Sequence, residues 1–340
     1  MDAASRRDYQ QLDSPPEDRM VFLLGRGRSG TTLLSSILDA HPAVSVAPEA
    51  LFVMNLHRKY KDGGWSERRI RQFARDVFLE DRMCRWNVSR EDVSARCAAL
   101  APNPGFARLC AEVYEAHAAA AGKARGRLLG VKNPHFSLFT DEVIEMFPRG
   151  RFVHVVRDYR DNVRSYQRVP FDLSSPAALA YRWVAYNSKV LTTAARRPEQ
   201  FHRVRFEDLV TAPGPTIAAL CQFLGIDMHT AMLRPHEREY GPSVAWHRVL
   251  NQPIDARLAG EWQREMSADQ VALLDRICQP LGRRFGYEPA DADSTPRRGA
   301  GGVLLGWTVT WLERVLFRLP VRFQAAIIRA YRRLTGNVIR

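Results

Sequence analysis

Lysine is almost missing from this chain. Of 50 basic residues only Lys59, Lys61, Lys123, Lys132 and Lys189 are lysines, a bias that a GC-rich genome produces and that makes each lysine a mildly informative position. Cysteine pairs are missing too. Cys84, Cys97, Cys110, Cys221 and Cys278 show no C-x-x-C spacing and are odd in number, which argues against a disulfide framework or a zinc cluster and for a reducing compartment. No carboxylate or histidine cluster stands at ligand spacing, so no metal is expected. The uncharged stretch Gly301 to Leu312 has 12 residues, well short of the roughly 20 that a membrane-spanning helix needs. Residues 1–19, MDAASRRDYQQLDSPPEDR, lack an apolar h-region and read as a polar, mobile lead-in, not a signal peptide. No internal repeat is found.

What is present suffices for a large core. A chain of 340 residues, 46% hydrophobic and 26% charged, fits an α/β domain with additions and excludes a disordered protein. The net charge of +13 is uneven: residues 297–340 hold nine arginines against Glu313, which leaves +8 there and +5 in the rest. The basic excess is a property of the tail, and no nucleic-acid partner is expected.

The stretch MVFLLGRGRSGTTLLSSIL, Met20 to Leu38, passes from an apolar run through a Gly/Arg/Ser turn into a helix-period segment. That is how a buried strand feeds a loop into a helix N-terminus, where backbone N–H groups, the helix dipole and the Thr31 and Thr32 hydroxyls converge on an oxyanion. Gly25-x-x-x-x-Gly30 has Walker A spacing, but Thr31 stands where a nucleotide triphosphatase needs its lysine. The cation comes from inside the loop instead, from Arg28, with Arg26 two residues earlier.

Short apolar strands alternate with helices along the chain. Strands are expected at Met20–Leu24, Ala43–Ala47, Arg127–Lys132, Arg151–Val156 and His202–Phe206. Pro48 and Glu49 read as the first turn of a helix, and about 51–121 as a helical insertion broken at Gly63-Gly64 and Pro102 to Gly105. The alternation argues for a mainly parallel sheet covered on both faces, with ligands at the strands' carboxyl ends, where Gly25–Thr32, Glu49, Lys132 and Arg157 fall. Ser267-x-x-Gln270 resembles a capping box. Residues 289–302 form a Pro/Gly/charged linker before a basic tail, 303–340, whose arginines alternate with apolar residues near Trp307 and Trp311. Such a tail suits an anionic membrane surface; it equally suits amphipathic helices packed on the domain or on a second subunit.

Two further pieces carry chemistry. Arg157 closes an apolar strand, and Ser165 follows eight positions on within a helix; a guanidinium fork and a hydroxyl suit a second phosphate, or Arg157-Asp158 is a salt-bridged strand end. Lys132 ends another strand, where it could stabilise charge on a transferred group or merely snorkel at the domain edge.

Taken together, GRGRSGTTLLSSILDAHP, APEALF, VKNP, FVHVVRDYRDNVRSY and VRFEDL resemble the sulfotransferases that use 3′-phosphoadenosine-5′-phosphosulfate (PAPS), nearest to the branch of the protein-tyrosine sulfotransferases and their bacterial relatives. The resemblance covers about residues 20–288. It implies a three-layer P-loop-type α/β fold; the tail pattern adds a C-terminal amphipathic helical extension, and the cysteine usage points to a cytoplasmic enzyme, peripheral at the inner membrane face if the tail binds lipid. It implies a 5′-phosphosulfate loop of Arg28, Ser29, Gly30, Thr31 and Thr32, a 3′-phosphate site at Arg157 and Ser165, and Arg205 near the nucleotide. Glu49 matches the base that takes the acceptor proton, with a raised pKa, and Lys132 the lysine that stabilises the transition state; His135 is the rival base. Arg168 is the shifted match for a basic residue after the serine. Gly260-Glu261-Trp262 resembles part of the closing loop, where Gln252 and Glu261 stand in place of lysines and Arg248 and Arg257 are the candidates to substitute. The acceptor is a hydroxyl of a lipid, glycan or small molecule, with protein tyrosine as one alternative and a P-loop small-molecule kinase as the other.

Overall fold

In Met20–Leu24 every side chain is apolar, and this run becomes β1, the middle strand of the sheet, buried on both faces as a parallel strand between helix layers must be. The computed structural model describes residues 14–123, 128–169, 173–237, 251–290 and 300–316, together with 318, 319, 323, 324, 326, 327 and 330. After β1 come α1 (Thr31–Asp39), β2 (Val44–Ala47), α2 (Phe52–Tyr60), α3 (Glu67–Val77), α4 (Arg90–Ala98), α5 (Phe106–Ala120) and β3 (Leu128–Lys132). The chain continues through α6 (Thr140–Met146), β4 (Arg151–Val156), α7 (Tyr159–Gln167), α8 (Pro176–Ala194) and β5 (Phe201–Arg205). It closes with α9 (Phe206–Thr211), α10 (Pro213–Leu224), α11 (Trp262–Glu265), α12 (Ala268–Gly282) and α13 (Ala300–Leu316).

The sheet has five strands in the order β2-β3-β1-β4-β5, and every pairing is parallel. Side chains of β1 alternate between the two covering layers, as the period of two requires. Phe22 faces a core shared with α2 to α6, whereas Val21 and Leu23 face one shared with α1, α9 and α10. A third core, around Tyr159 and Trp183, joins α7, α8 and α12. The three-layer α/β fold expected from the sequence is therefore present, and it sets the carboxyl ends of β1, β3 and β4 side by side, with Leu23 opposite Lys132.

Local signals act as expected at several ends. Ser267 and Gln270 form a reciprocal capping box on α12, a contact worth about 1 kcal/mol, and Gly225 caps α10 in the left-handed conformation.

Three expectations are corrected. The lead-in does not extend to residue 19: Pro16–Arg19 forms a 3-10 turn, and buried Arg19 pairs with Glu115 at 2.7 Å, because a guanidinium taken from water needs a carboxylate. Pro48 and Glu49 are not the first turn of a helix, since α2 starts at Phe52. The linker ends before 302, because α13 begins at Ala300 and packs directly on α8. At Gly306 the backbones come so close that a Cβ would lie 2.6 Å from the carbonyl oxygen of Ala178.

Candidate active site

The loop between β1 and α1 is locked from beneath. The N–H of Gly25 donates to the Ser137 hydroxyl at 2.7 Å, which donates back to the Gly25 carbonyl at 3.2 Å. From α7, the Asn162 amide donates to the Gly27 carbonyl at 2.9 Å and to the Ser29 hydroxyl at 3.0 Å. Gly30, with φ of 96°, is the N-cap of α1, and a Cβ there would sit 2.3 Å from the Phe206 ring; only glycine fits both demands. Arg28 also takes a left-handed φ, 63°, a strained choice for a residue with a side chain. The loop thus presents a helix N-terminus with its N–H groups in fixed positions, the arrangement that binds oxyanions.

Lys132 and Glu49 meet beside this loop. The Lys132 ammonium donates to the Thr32 hydroxyl at 3.1 Å and pairs with Glu49 at 2.7 Å. Arg82, from the helical insertion, lies 3.7 Å from the other Glu49 oxygen. Asn133 holds the turn that carries Glu49 by donating to the Ala50 carbonyl at 3.1 Å. Burial alone would raise the Glu49 pKa, but Lys132, Arg82 and His135 together outweigh it and hold the carboxyl down at about 2. The expectation of a raised pKa is therefore not met, and the cause is the partner lysine.

The second cationic cluster stands at the end of β4. Arg28 donates to the Ser165 hydroxyl at 3.1 Å, and its guanidinium is pushed down in pKa by burial and by nearby Arg157. Arg157 is buried, donates to the Leu258 carbonyl at 2.6 Å, and has its Nε without a hydrogen-bond partner. Glu261 approaches it at 3.6 Å and also pairs with Arg164. Asp161 ties this late loop to α7 by accepting from the N–H groups of Gly260 at 2.8 Å and Trp262 at 2.9 Å.

Structure and expectation part at several basic residues. Arg26 is buried, 4.0 Å from the Tyr166 ring centroid and 4.9 Å from that of Tyr186; sandwiched between aromatic faces, it is withdrawn from the cradle. Arg168 is bound by Glu265. Arg205 leans on Tyr287, 5.0 Å from its ring centroid, in a cleft it lines together with Asp158, Gly260 and Trp262. Arg257 is exposed and chelated by its neighbour Asp255, so it does not close over the loop. Arg248 lies outside the described residues. Arg28, Ser29, Gly30, Thr32, Lys132, Glu49, Arg157 and Ser165 are brought together, and Thr31 opens α1 beside them.

One group escaped the sequence reading. Glu313, the single carboxylate of the basic tail, reaches from α13 to the His135 imidazole. It also accepts from Arg182 at 2.9 Å and from the Tyr186 hydroxyl at 2.8 Å. Burial would raise its pKa, but His135, Arg182 and Arg26 outweigh that and hold it at about 2. A lone acid among nine arginines was the available signal; its partner, about 180 positions away, was not legible.

An oxyanion-type cradle on a parallel three-layer sheet, with a lysine beside it from a neighbouring strand, makes this a P-loop-type fold. The chain matches the model of the sulfotransferase family over residues 20–230, and it belongs to that family of enzymes. It is 25% identical over 290 residues to a putative protein-tyrosine sulfotransferase of Caenorhabditis briggsae, covering 81% of this chain and 91% of that protein. With the protein-tyrosine sulfotransferase of Drosophila melanogaster it shares 25% identity over 79% of this chain but 52% of that protein. With nodulation protein NoeE of Sinorhizobium fredii it shares 27% over 90% of this chain and 74% of that protein. Its fold is similar to the sulfotransferase domain of the Synechococcus PCC 7002 olefin synthase, with a TM-score of 0.56 and 23% identity over 79% of this chain and 94% of that one.

Proposed function

We propose that this enzyme moves the sulfuryl group of PAPS to an acceptor hydroxyl, with Glu49 as general base and Lys132 as the cation at the reacting centre. The observation that carries the reading is the Thr32–Lys132–Glu49 chain of contacts at 3.1 and 2.7 Å beside an oxyanion cradle. The residues suit a donor with two separated phosphates: Arg157 keeps a buried Nε without a partner, close enough to Arg28 to disfavour its charge, and two neighbouring guanidiniums favour an anion between them. PAPS, when bound, supplies an activated sulfuryl group on its 5′-phosphate and a second phosphate at the 3′ position. The loop N–H groups, Arg28 and Thr32 hold the first, and Arg157 with Ser165 the second.

An alcohol is a poor nucleophile at neutral pH, so its proton must leave as the new bond forms. In the free enzyme Glu49 is kept ionised by Lys132, ready to accept a proton but weakly basic. When the Lys132 ammonium turns toward charge spreading over the transferred group, Glu49 loses that partner and its affinity for a proton rises. Lys132 therefore tunes the base and stabilises the transition state with one charge. Glu313, by engaging the other side of His135, gives that imidazole a fixed orientation, and His135 is the second reading for the base.

The acceptor hydroxyl belongs to a lipid, glycan or small molecule in this reading, with protein tyrosine as the alternative. Gln252 and Glu261 in place of lysines weigh against tyrosine. The enzyme needs no metal and works in the cytoplasm; its cysteine usage supports a reducing compartment. Thermal melts provide the test. PAP, the 3′,5′-bisphosphate product, is expected to raise the melting temperature by several degrees, and ATP with Mg²⁺ by much less. The reverse preference would point to a kinase and overturn the proposal.

A further inference from the structure

Helix α13 is turned inside out. Toward α8 it presents Gly306 and Thr310, both buried, and Glu313, whose side chain is only 10% exposed, spaced four and three residues apart. Away from the domain it presents Leu304, Leu305, Trp307, Trp311, Leu312 and Val315, all exposed, with half of each tryptophan's surface in solvent (50% and 52%). Leu304, Trp307, Trp311 and Val315 follow helical spacing and form one stripe, with Leu305 and Leu312 beside it. An ordinary surface helix buries its apolar side and wets its polar side; this one does the opposite, because its small residues are needed for the close approach to α8.

A contiguous apolar patch on an outer face marks an interaction surface, and its occupant can be argued from charge. Residues 297–340 carry +8. On α13 itself Arg314 follows Glu313, and exposed Arg318 comes one turn after the apolar stripe, where its carbonyl accepts from Arg58 at 2.7 Å. A symmetric dimer through this face would set the same basic segment of two chains against each other, since a two-fold interface pairs identical patches, and like charges would oppose it. An anionic surface meets no such penalty. Tryptophan and leucine beside arginine is the composition of helices that lie at the boundary of headgroups and acyl chains. Among the described residues no helix is long and apolar enough to cross a bilayer, so contact along the surface is the available geometry.

We infer that the outer face of α13 seats the protein on an anionic lipid bilayer, with the tryptophans at the headgroup level and the arginines on lipid phosphates. The inference stands on the helix alone and does not require the sulfotransferase reading. Glu313, on the opposite face of the same helix, pairs with His135 three residues after Lys132, so the seating element and the catalytic region are mechanically joined.

Vesicle sedimentation of the full chain tests it, using phosphatidylcholine alone and phosphatidylcholine mixed with phosphatidylglycerol. The expected result is partition into the mixed vesicles at least tenfold above that into the neutral ones, weakened by salt, with a blue shift of tryptophan emission. Trp307→Ser with Trp311→Ser, both at exposed positions, is expected to lose at least tenfold of that partition while PAP shifts its melting temperature as in the unaltered protein. Equal sedimentation with both vesicles, or none, would overturn the inference. So would a dimer in light scattering that the double variant converts to monomer without any vesicle binding. Failure of PAP to stabilise the unaltered protein would count against the sulfotransferase reading and leave the vesicle result standing.

Discussion

Arg28, Ser29, Gly30 and Thr32 occupy one loop and the helix start after it, braced by Asn162 and Ser137, whereas Glu49, Lys132, His135 and Glu313, on the side proposed for the acceptor, come from a loop, a strand end, a 3-10 turn and a late helix. The donor half is a rigid backbone device: its glycines are fixed by steric walls, and its charge is a helix terminus plus two guanidiniums. The acceptor half is made of opposed charges, two carboxylates each held near 2 by cations. In the mechanism proposed above one half binds and the other responds, because paired ions change their pKa when a ligand takes one partner away while backbone N–H groups do not.

If that division holds, the largest effects lie in the acceptor half. Glu49→Gln keeps the side-chain size and removes the base, and turnover should fall about 10²- to 10⁴-fold with little change in PAP affinity; steady-state kinetics and calorimetry check both. A fall below tenfold, with a larger one for His135→Gln, would transfer the base to His135. Next comes Lys132→Ala, which should cost on the order of 10²-fold in turnover at saturating PAPS. Normal turnover there would break the comparison outright.

The donor half should show up in binding. Arg157→Gln is expected to weaken PAP about tenfold or more, in line with about 1.5–3 kcal/mol for a hydrogen bond to a charged group, while turnover at saturation changes little. The smallest contrast concerns acid stability. Both carboxyls have folded pKa values below the ordinary 4.5, so their stabilisation is complete above about 4.5 and disappears as pH falls toward 2. Glu313 is 10% exposed against 34% for Glu49, so Glu313→Gln should flatten the acid limb of the denaturation curve more, by ~3 kcal/mol at most.

The same contrast explains what could be read from the chain. The strand at Arg151–Val156, the α12 capping box and the Gly25–Thr32 loop were legible because each is written in adjacent residues with a local physical cause. Boundaries failed where tertiary packing decided them. Ala300–Gly302 read as linker because glycines are poor helix formers, but at Gly302 a Cβ would lie 2.7 Å from Ala177 and 2.8 Å from the Ser175 hydroxyl, so the packing against α8 favours glycine there. Arg26 has the composition of a phosphate ligand, and only the fold shows Tyr166 and Tyr186 enclosing it. In the sequence Glu313 is one acid in a basic tail, and nothing local links it to His135.

The central claim is that the loop with Arg28, and the Arg157–Ser165 pair, hold two separate phosphates of one nucleotide. Calorimetric titration with PAP, 5′-AMP and 3′-AMP, on the unaltered enzyme and on Arg157→Gln, addresses it directly. The account predicts that PAP binds at least tenfold tighter than either monophosphate, and that Arg157→Gln reduces PAP to the affinity of 5′-AMP while leaving 5′-AMP itself unchanged. Equal affinities for PAP and 5′-AMP in the unaltered enzyme would contradict it.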